Sequence, residues 1–176
     1  MTDRELIAHA GRGEHVAFEA LYHRYRDWVW RLAWRTTRDQ DLAEDVLQET
    51  FIYLVKRLPS LTLTARLTTF LYPVVRHLSL EALRTRDRLA ASSDVLEELP
   101  LACSEQDQTW PEDLASVLSL LPPGQRQVLL MRFVDDMTLA EIALALEIPE
   151  GTVKSRLHNA LAALRDDPRT RRYFVE

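Results

Sequence analysis

The sequence predicts an all-α protein built of two small helical domains joined by a flexible tether. Hydrophobic positions recur at helical spacing nearly throughout, and alternating strand patterns bounded by turn residues are missing. Only 4 glycines occur in 176 residues, so the turn-rich composition of a β-sandwich or barrel is absent. A small, acidic, aperiodic stretch over residues 89–110 interrupts the helical rhythm once, with Pro100 inside it. The expected division is therefore 1–88, a linker over 89–110, and 111–176.

The elements follow in order. Residues before Val16 read as a frayed N-terminus. From Val16 to Thr36, Phe18, Leu21, Tyr22, Tyr25, Val29, Leu32 and Ala33 fall on one helical stripe. A second helix is predicted from about Gln40 to Leu58, with Leu42, Val46, Leu47, Phe51, Leu54 and Val55 inward. Pro59 ends it, because proline lacks a backbone donor and its predecessor avoids helical torsions. The β-branched and polar run Ser60-Leu61-Thr62-Leu63-Thr64 reads as a loop. A third helix, from about Thr69 to Arg88, buries Phe70, Leu71, Val74, Val75, Leu78 and Ala82. Pro73 is acceptable there only if the helix begins close before it. Beyond Pro111, Leu114, Val117, Leu118 and Leu121 mark a short helix that Pro122-Pro123 closes. Gln125 to Phe133, Thr138 to Leu146 and Glu150 to Arg165 complete the set.

Composition narrows the function classes. With 47% hydrophobic and 28% charged residues, the chain belongs with ordinary soluble globular proteins. Its first residues lack the apolar core of a signal peptide, and no apolar run reaches the roughly 18 residues of a membrane span. A cytoplasmic protein without a membrane partner is expected. The single cysteine, Cys103, cannot form an internal disulfide and has no histidine beside it, so it reads as an inert thiol.

A net charge of −5 looks wrong for a nucleic-acid partner until it is divided along the chain. Residues 1–90 carry 14 Lys/Arg against 12 Asp/Glu, and residues 151–176 carry 6 against 3. The excess acid lies between them, with 0 against 5 over 91–110 and 2 against 7 over 111–150. Positive charge gathers near Arg84–Arg88 and in the last helix, where phosphate contacts are useful. So weak an overall charge implies poor affinity for free DNA and a larger partner that supplies the rest.

The sharpest local pattern runs from Met137 to Leu157. Thr138 followed three residues later by Glu141 is a capping box. Leu139, Ile142, Ala143 and Leu146 make the apolar stripe of a short helix, and small Ala143 and Ala145 allow a close crossing. Ile148 packs in the turn, and Val153, Leu157 and Leu161 form the inward face of the next helix. That is helix-turn-helix logic, in which the second helix enters the major groove N-terminus first. Its outward positions are Lys154, Ser155, His158 and Asn159. Lysine reaches phosphates or guanine acceptors, asparagine can pair with adenine, and serine is permissive. Arg156 and Arg165 on the flanks suit phosphates, and Gly151 allows close approach to backbone N–H groups. Any one of these residues alone reads as a solvated polar side chain; the whole arrangement favours DNA binding.

A second pattern is Glu44-Asp45-x-x-Gln48-Glu49-x-Phe51. Glu44, Asp45, Gln48 and Glu49 share a polar helix face opposite Val46, Phe51 and Leu54. Such an acidic and amide face can dock a basic partner helix, although composition alone equally permits a solvated acidic surface.

Together, and in this order, these segments resemble the extracytoplasmic-function (ECF) group of bacterial sigma factors, along nearly the whole chain. Ala17-Phe18-Glu19-Ala20-Leu21-Tyr22 is similar to the family's first conserved-region helix. Ala43 to Phe51 is similar to its polymerase-binding helix. Leu71-Tyr72-Pro73-Val74-Val75-Arg76-His77 and Glu81 to Arg84 resemble the helix facing the minus-ten element. Leu121-Pro122-Pro123 and Gly151 to Leu157 resemble region four, which reads the minus-thirty-five element.

The resemblance implies a region 2 helical bundle and a region 4 helix-turn-helix, with core RNA polymerase and promoter DNA as partners. Glu44, Asp45, Gln48 and Glu49 would meet the clamp helices of the polymerase's largest subunit. Lys154, Ser155, His158 and Asn159 would meet the upstream element, with Arg132, Thr152 and Arg156 nearer phosphates. Arg76, His77, Arg84 and the Ser60–Thr69 loop are the candidates for the downstream element, where a melted base can be held. The resemblance also brings in an anti-sigma protein as an inhibitory partner. The chain departs from the family where Glu147 replaces a turn glycine, Phe70 a tryptophan, His77 an asparagine and Pro73 a basic residue. All but the first lie where a downstream base would be read.

The alternative is a stand-alone helix-turn-helix regulator, which usually needs a dimer because one motif covers a half-site. No separate dimerisation helix stands out. An enzyme is disfavoured: no phosphate loop, nucleophile–base pair or carboxylate constellation occurs, and no cofactor is implied. His9, His15 and His23 do not share one helical face, so they are read as surface residues and not metal ligands. Trp28, Trp30 and Trp34 read as packing residues, and the basic tail Arg169–Phe174 as solvated.

Overall fold

The computed structural model describes residues 1–90 and 112–173, which are helical without any strand among them. Most of the expected tether, Cys103 included, lies outside the described residues. The chain divides into two compact units, Met1–Glu98 and Leu99–Glu176.

The first unit holds α1 (Asp3–Gly11), α2 (His15–Thr37), α3 (Gln40–Arg57), a 3₁₀ turn (Leu58–Ser60) and α4 (Leu67–Ala90). The centre of the unit is α2, which packs on α1, α3 and α4. Leu21, Val29 and Leu32 from α2, Ala43, Val46 and Leu54 from α3, and Leu67, Leu71 and Val75 from α4 meet in its core. Helix α1 replaces the frayed end expected from sequence. Thr2 and Glu5 form a reciprocal capping box at its start, and Leu6 and Ile7 are buried against the bundle.

Two further expectations are corrected. Val55 is exposed, because the buried stripe of α3 follows Ala43, Val46, Thr50, Phe51 and Leu54 instead. Thr50 is tolerated inside because its hydroxyl donates to the Val46 carbonyl at 2.7 Å. Pro73 stands well inside α4, which begins at Leu67. A mid-helix proline costs about 3 kcal/mol, whereas burying one Leu or Val side chain contributes about 1.5–3 kcal/mol. Burial of Leu67, Leu71, Tyr72 and Val75 around it outweighs the lost hydrogen bond.

The second unit holds α5 (Glu112–Leu120), α6 (Pro123–Phe133), α7 (Leu139–Leu146), α8 (Glu150–Asp166) and a 3₁₀ turn (Arg171–Tyr173). Pro123 opens α6 at a position where a missing N–H costs nothing, so the Pro-Pro pair both stops one helix and starts the next. Val117, Leu118, Leu121, Leu129, Ala160 and Leu164 form one buried cluster that unites α5, α6 and α8. The basic tail is tied back, not free: Arg169 donates to Ser116 at 3.0 Å and Arg172 to Asp113 at 2.5 Å.

The turn between α7 and α8 carries a strained residue. Glu147 caps α7 in the left-handed region, φ 54° and ψ 40°, where the family resemblance expects glycine. Replacing Glu147 with glycine is expected to stabilise this unit by about 0.5–1 kcal/mol, since the Cβ penalty disappears. A differential thermal melt checks it: a rise of a few degrees confined to the second unit is expected, and a fall would contradict the strain.

Candidate polymerase and nucleic-acid interfaces

Helix α3 begins with Asp39, whose carboxylate accepts from the Leu42 N–H at 3.1 Å. This cap and the buried stripe set the rotation of the helix. Glu44, Asp45, Gln48 and Glu49 consequently all point outward and are exposed. Gln40 donates to Glu44 at 3.2 Å along the same face. No cation among the described residues pairs with Asp45 or Glu49. Ile52 and Val55, 44% and 46% exposed, extend this face with apolar surface. A partner helix carrying cations and a short apolar patch would complement it.

Beside this face lies a groove of about 590 Å³, lined from α3 by Glu44, Leu47 and Gln48 and from α2 by Tyr22, Arg26, Trp30 and Arg31 among others. The α2 wall is a ladder at four-residue spacing: Arg26 lies over the Tyr22 ring, Trp30 stacks on Trp34, and Arg38 lies over Trp34 at 4.8 Å. Trp30, which the sequence places in core or interface packing, lines this groove together with Arg26 and Arg31. The available signal was the four-residue spacing of aromatic and arginine residues from Tyr22 to Arg38, which a purely apolar count ignores.

On α4, His77 and Arg84 are exposed on one face together with Glu81, and the His77 ring lies 3.8 Å from the Glu81 carboxylate. Arg76 sits at the flank, half-buried. The preceding loop is shorter than expected, because Leu67, Thr68 and Thr69 already belong to α4 and are buried. The irregular residues are Leu61–Arg66, with Leu63 anchored inward and Thr62 and Thr64 exposed.

In the second unit, Thr138 and Glu141 make the expected capping box at the start of α7. Lys154, Ser155, His158 and Asn159 are all exposed on α8, forming one outward face with Gly151. A Cβ on Gly151 would meet nothing within 4 Å, so no neighbour in the chain requires a glycine there. The flanking cations are more occupied. The Arg156 guanidinium covers Gly124, where an added Cβ would stand 3.1 Å from it, and Thr152 is half-buried. Arg132 donates to the Met137 carbonyl at 3.3 Å and lies 3.9 Å from Asp136.

Lys154 is paired with Glu150 at 2.9 Å, one helical turn earlier. Glu150 suits the positive end of the α8 dipole but would repel a phosphate. Changing Glu150 to glutamine is expected to raise affinity for the upstream duplex about 3- to 10-fold at low salt, with a steeper salt dependence as Lys154 is released. Titration of promoter duplex at several salt concentrations measures both. Unchanged affinity and slope would mean that Lys154 does not face the phosphates.

Among the described residues, no group of three or more His, Cys, Asp or Glu side chains is placed to hold a metal ion. No described helix is long and apolar enough to cross a membrane.

Comparison with known proteins bears on both units. Residues 21–89 match the family model described as Sigma-70 region 2, and residues 112–164 match that described as Sigma-70, region 4. The ECF RNA polymerase sigma factor SigW of Bacillus subtilis is 28% identical over 94% of this chain and 96% of its own length. The ECF RNA polymerase sigma factor SigL of Mycobacterium tuberculosis is 32% identical over 90% of this chain and 93% of its own. Among solved structures, CnrH in complex with the cytosolic domain of CnrY shares the fold. Its TM-score is 0.67 at 23% identity, covering 92% of this chain and 93% of that one.

Proposed function

We propose, from the premise that the chain belongs to the ECF group of sigma-70-family RNA polymerase sigma factors, a division of labour among its surfaces. The chain binds core RNA polymerase and directs promoter-specific initiation. Residues 1–88 act as the region 2 domain, 89–110 as the linker and 111–176 as the region 4 domain. Glu44, Asp45, Gln48 and Glu49 dock the polymerase clamp helices, with Ile52, Val55 and the groove beside them extending that contact. Lys154, Ser155, His158 and Asn159 read the upstream element, while Thr152, Arg132 and Arg156 lie nearer its phosphates. Arg76, His77, Arg84 and the loop Leu61–Arg66 meet the downstream element. The protein works in the cytoplasm with its polymerase, and an anti-sigma protein covering α3 would silence it. Its role is binding and recognition, not catalysis.

The observation that carries this reading is the pairing of two exposed faces in one chain: an acidic α3 surface whose Asp45 and Glu49 meet no cation among the described residues, and a basic recognition helix. A chain with only the second would bind duplex DNA by itself. The polymerase-docking face gives it a reason to rely on a larger partner, in keeping with its net charge of −5.

Reconstituted transcription tests the reading. The purified chain and sigma-free core are incubated with a random promoter library, and transcript starts are sequenced. Discrete starts sharing two spaced upstream elements are expected. Absence of both initiation and core binding by the folded protein would overturn it.

A further inference from the structure

Helix α1 packs against the turn Leu58–Ser60 that leads into the loop Leu61–Arg66. Its first turn carries Asp3, which accepts from Arg24 at 2.6 Å and from the Tyr25 hydroxyl, both on α2. Tyr25 is half-buried, and its phenol is held well above its ordinary pKa, first by burial and then by the hydrogen bond and charge of Asp3. The charges of Arg24 and Arg66 oppose that shift. At the other end of α1, a Cβ on Gly11 would stand 2.9 Å from the Leu58 carbonyl oxygen and 3.7 Å from the Pro59 Cα. Leu58 and Pro59 form the turn that leads into the loop. Between these anchors, Leu6 and Ile7 are buried, and His9 bonds Glu14 at 2.8 Å across the turn into α2.

We propose that α1 is a splint that holds the Leu61–Arg66 loop in its base-reading conformation, with Asp3, Tyr25 and Gly11 as positioning residues for the downstream element. The proposal rests on the reading of that loop as a base-binding segment. A six-residue loop with only Leu63 anchored inward would sample many conformations if its ends were free. Pinning the turn at its entry lowers the ordering cost at the moment a melted base is bound. None of the three residues needs to touch DNA. Neither the docking face of α3 nor the recognition helix α8 takes part.

The test uses the full chain with core polymerase on the promoter recovered from the random library, its downstream element then randomised. Asp3→Asn, Tyr25→Phe and Gly11→Ala are compared with Asp3→Glu and with Thr62→Ala and Thr64→Ala in the loop. Holoenzyme assembly and upstream-element preference are expected to stay at the wild-type level in all variants. Downstream base preference should relax about tenfold in the Asp3, Tyr25 and Gly11 variants, the loss of roughly one well-placed hydrogen bond. Asp3→Glu should restore it. Tyr25→Phe deletes a single oxygen from a packed ring, so it keeps the test open should Asp3→Asn unfold. Unchanged downstream preference in these variants, with altered preference in the loop variants, would overturn the splint alone. A parallel loss of assembly and of both element preferences would reduce α1 to a structural helix and overturn it too. No effect from the loop variants either would remove the base-reading loop itself, and the splint with it.

Discussion

Changing Asp45 and Glu49 together to lysine is expected to abolish promoter-dependent transcription while leaving the fold intact. Both side chains are exposed on α3, one turn apart, and neither pairs with a cation among the described residues. Surface substitutions of this kind usually alter stability by no more than about 0.5 kcal/mol. Their effect on docking is much larger. Two attractive contacts with a basic partner helix become repulsive, and like charges juxtaposed across an interface cost several kcal/mol. At about 1.4 kcal/mol per tenfold, holoenzyme assembly should weaken by at least about a hundredfold. Fluorescence titration with labelled core measures that loss, and circular dichroism checks the fold. Substituting Ile52 with alanine removes only part of a half-exposed side chain, so it should weaken assembly far less. Wild-type assembly by the double lysine variant would sink the docking assignment.

The second large effect is expected at Arg126, a buried cation of α6. Its side chain is 5% exposed and donates to the carbonyls of Leu118 at 2.8 Å, Ser119 at 2.5 Å and Leu121 at 3.0 Å. These are the terminal carbonyls of α5 and the turn after it, where the backbone runs short of donors, although Leu118 also accepts from the Leu121 N–H at 3.2 Å. The guanidinium serves as their cap, and its charge suits the negative end of the helix dipole. Replacing Arg126 with methionine keeps much of the volume but leaves buried acceptors without donors. The cost should be about 3–5 kcal/mol, since hydrogen bonds to charged groups contribute about 1.5–3 kcal/mol each and do not add fully. A unit of this size has a total stability of only about 3–9 kcal/mol. Hydrogen exchange should therefore show lost protection in α5, α6 and α8 and none in α2–α4. Lysine should not rescue it, because one ammonium cannot fork to three carbonyls. An unchanged exchange pattern would mean that solvent replaces the cap without loss.

The helix-turn-helix was readable because each of its parts is local. Thr138 and Glu141 lie three residues apart, and Val153 and Leu157 repeat at helical spacing, so neighbouring letters report the structure directly. The acidic face of α3 was readable for the same reason. Yet the same local grammar was present at Thr2 and Glu5 and was passed over. The apolar content behind it is only Leu6 and Ile7, too short a stripe to reveal a helix that a neighbouring bundle then buries. Val55 and Thr50 exchanged places for a related reason. On α3 the stripe drifts around the helix, and which residues at its border turn inward depends on where α2 and α4 lie. Pro73 misled in the other direction: a local penalty of about 3 kcal/mol is decisive in a peptide but not inside a bundle that buries four large side chains around it.

By itself the sequence determined the class of the fold, the order of its helices after α1 and the two outward faces on which function is proposed. Periodicity, caps and charge are written in neighbouring residues and need no knowledge of what is distant. Only the tertiary structure decided which functional side chains are free and which are engaged. Arg156 lies over Gly124, Arg132 reaches to Met137, and Arg126 caps a helix from eight residues away. It also decided that α1 backs the turn into a loop that begins some fifty residues later. The physical reason is that an arginine's partner is set by which backbone the fold brings within about 3 Å of it, and no periodicity along the chain records that distance.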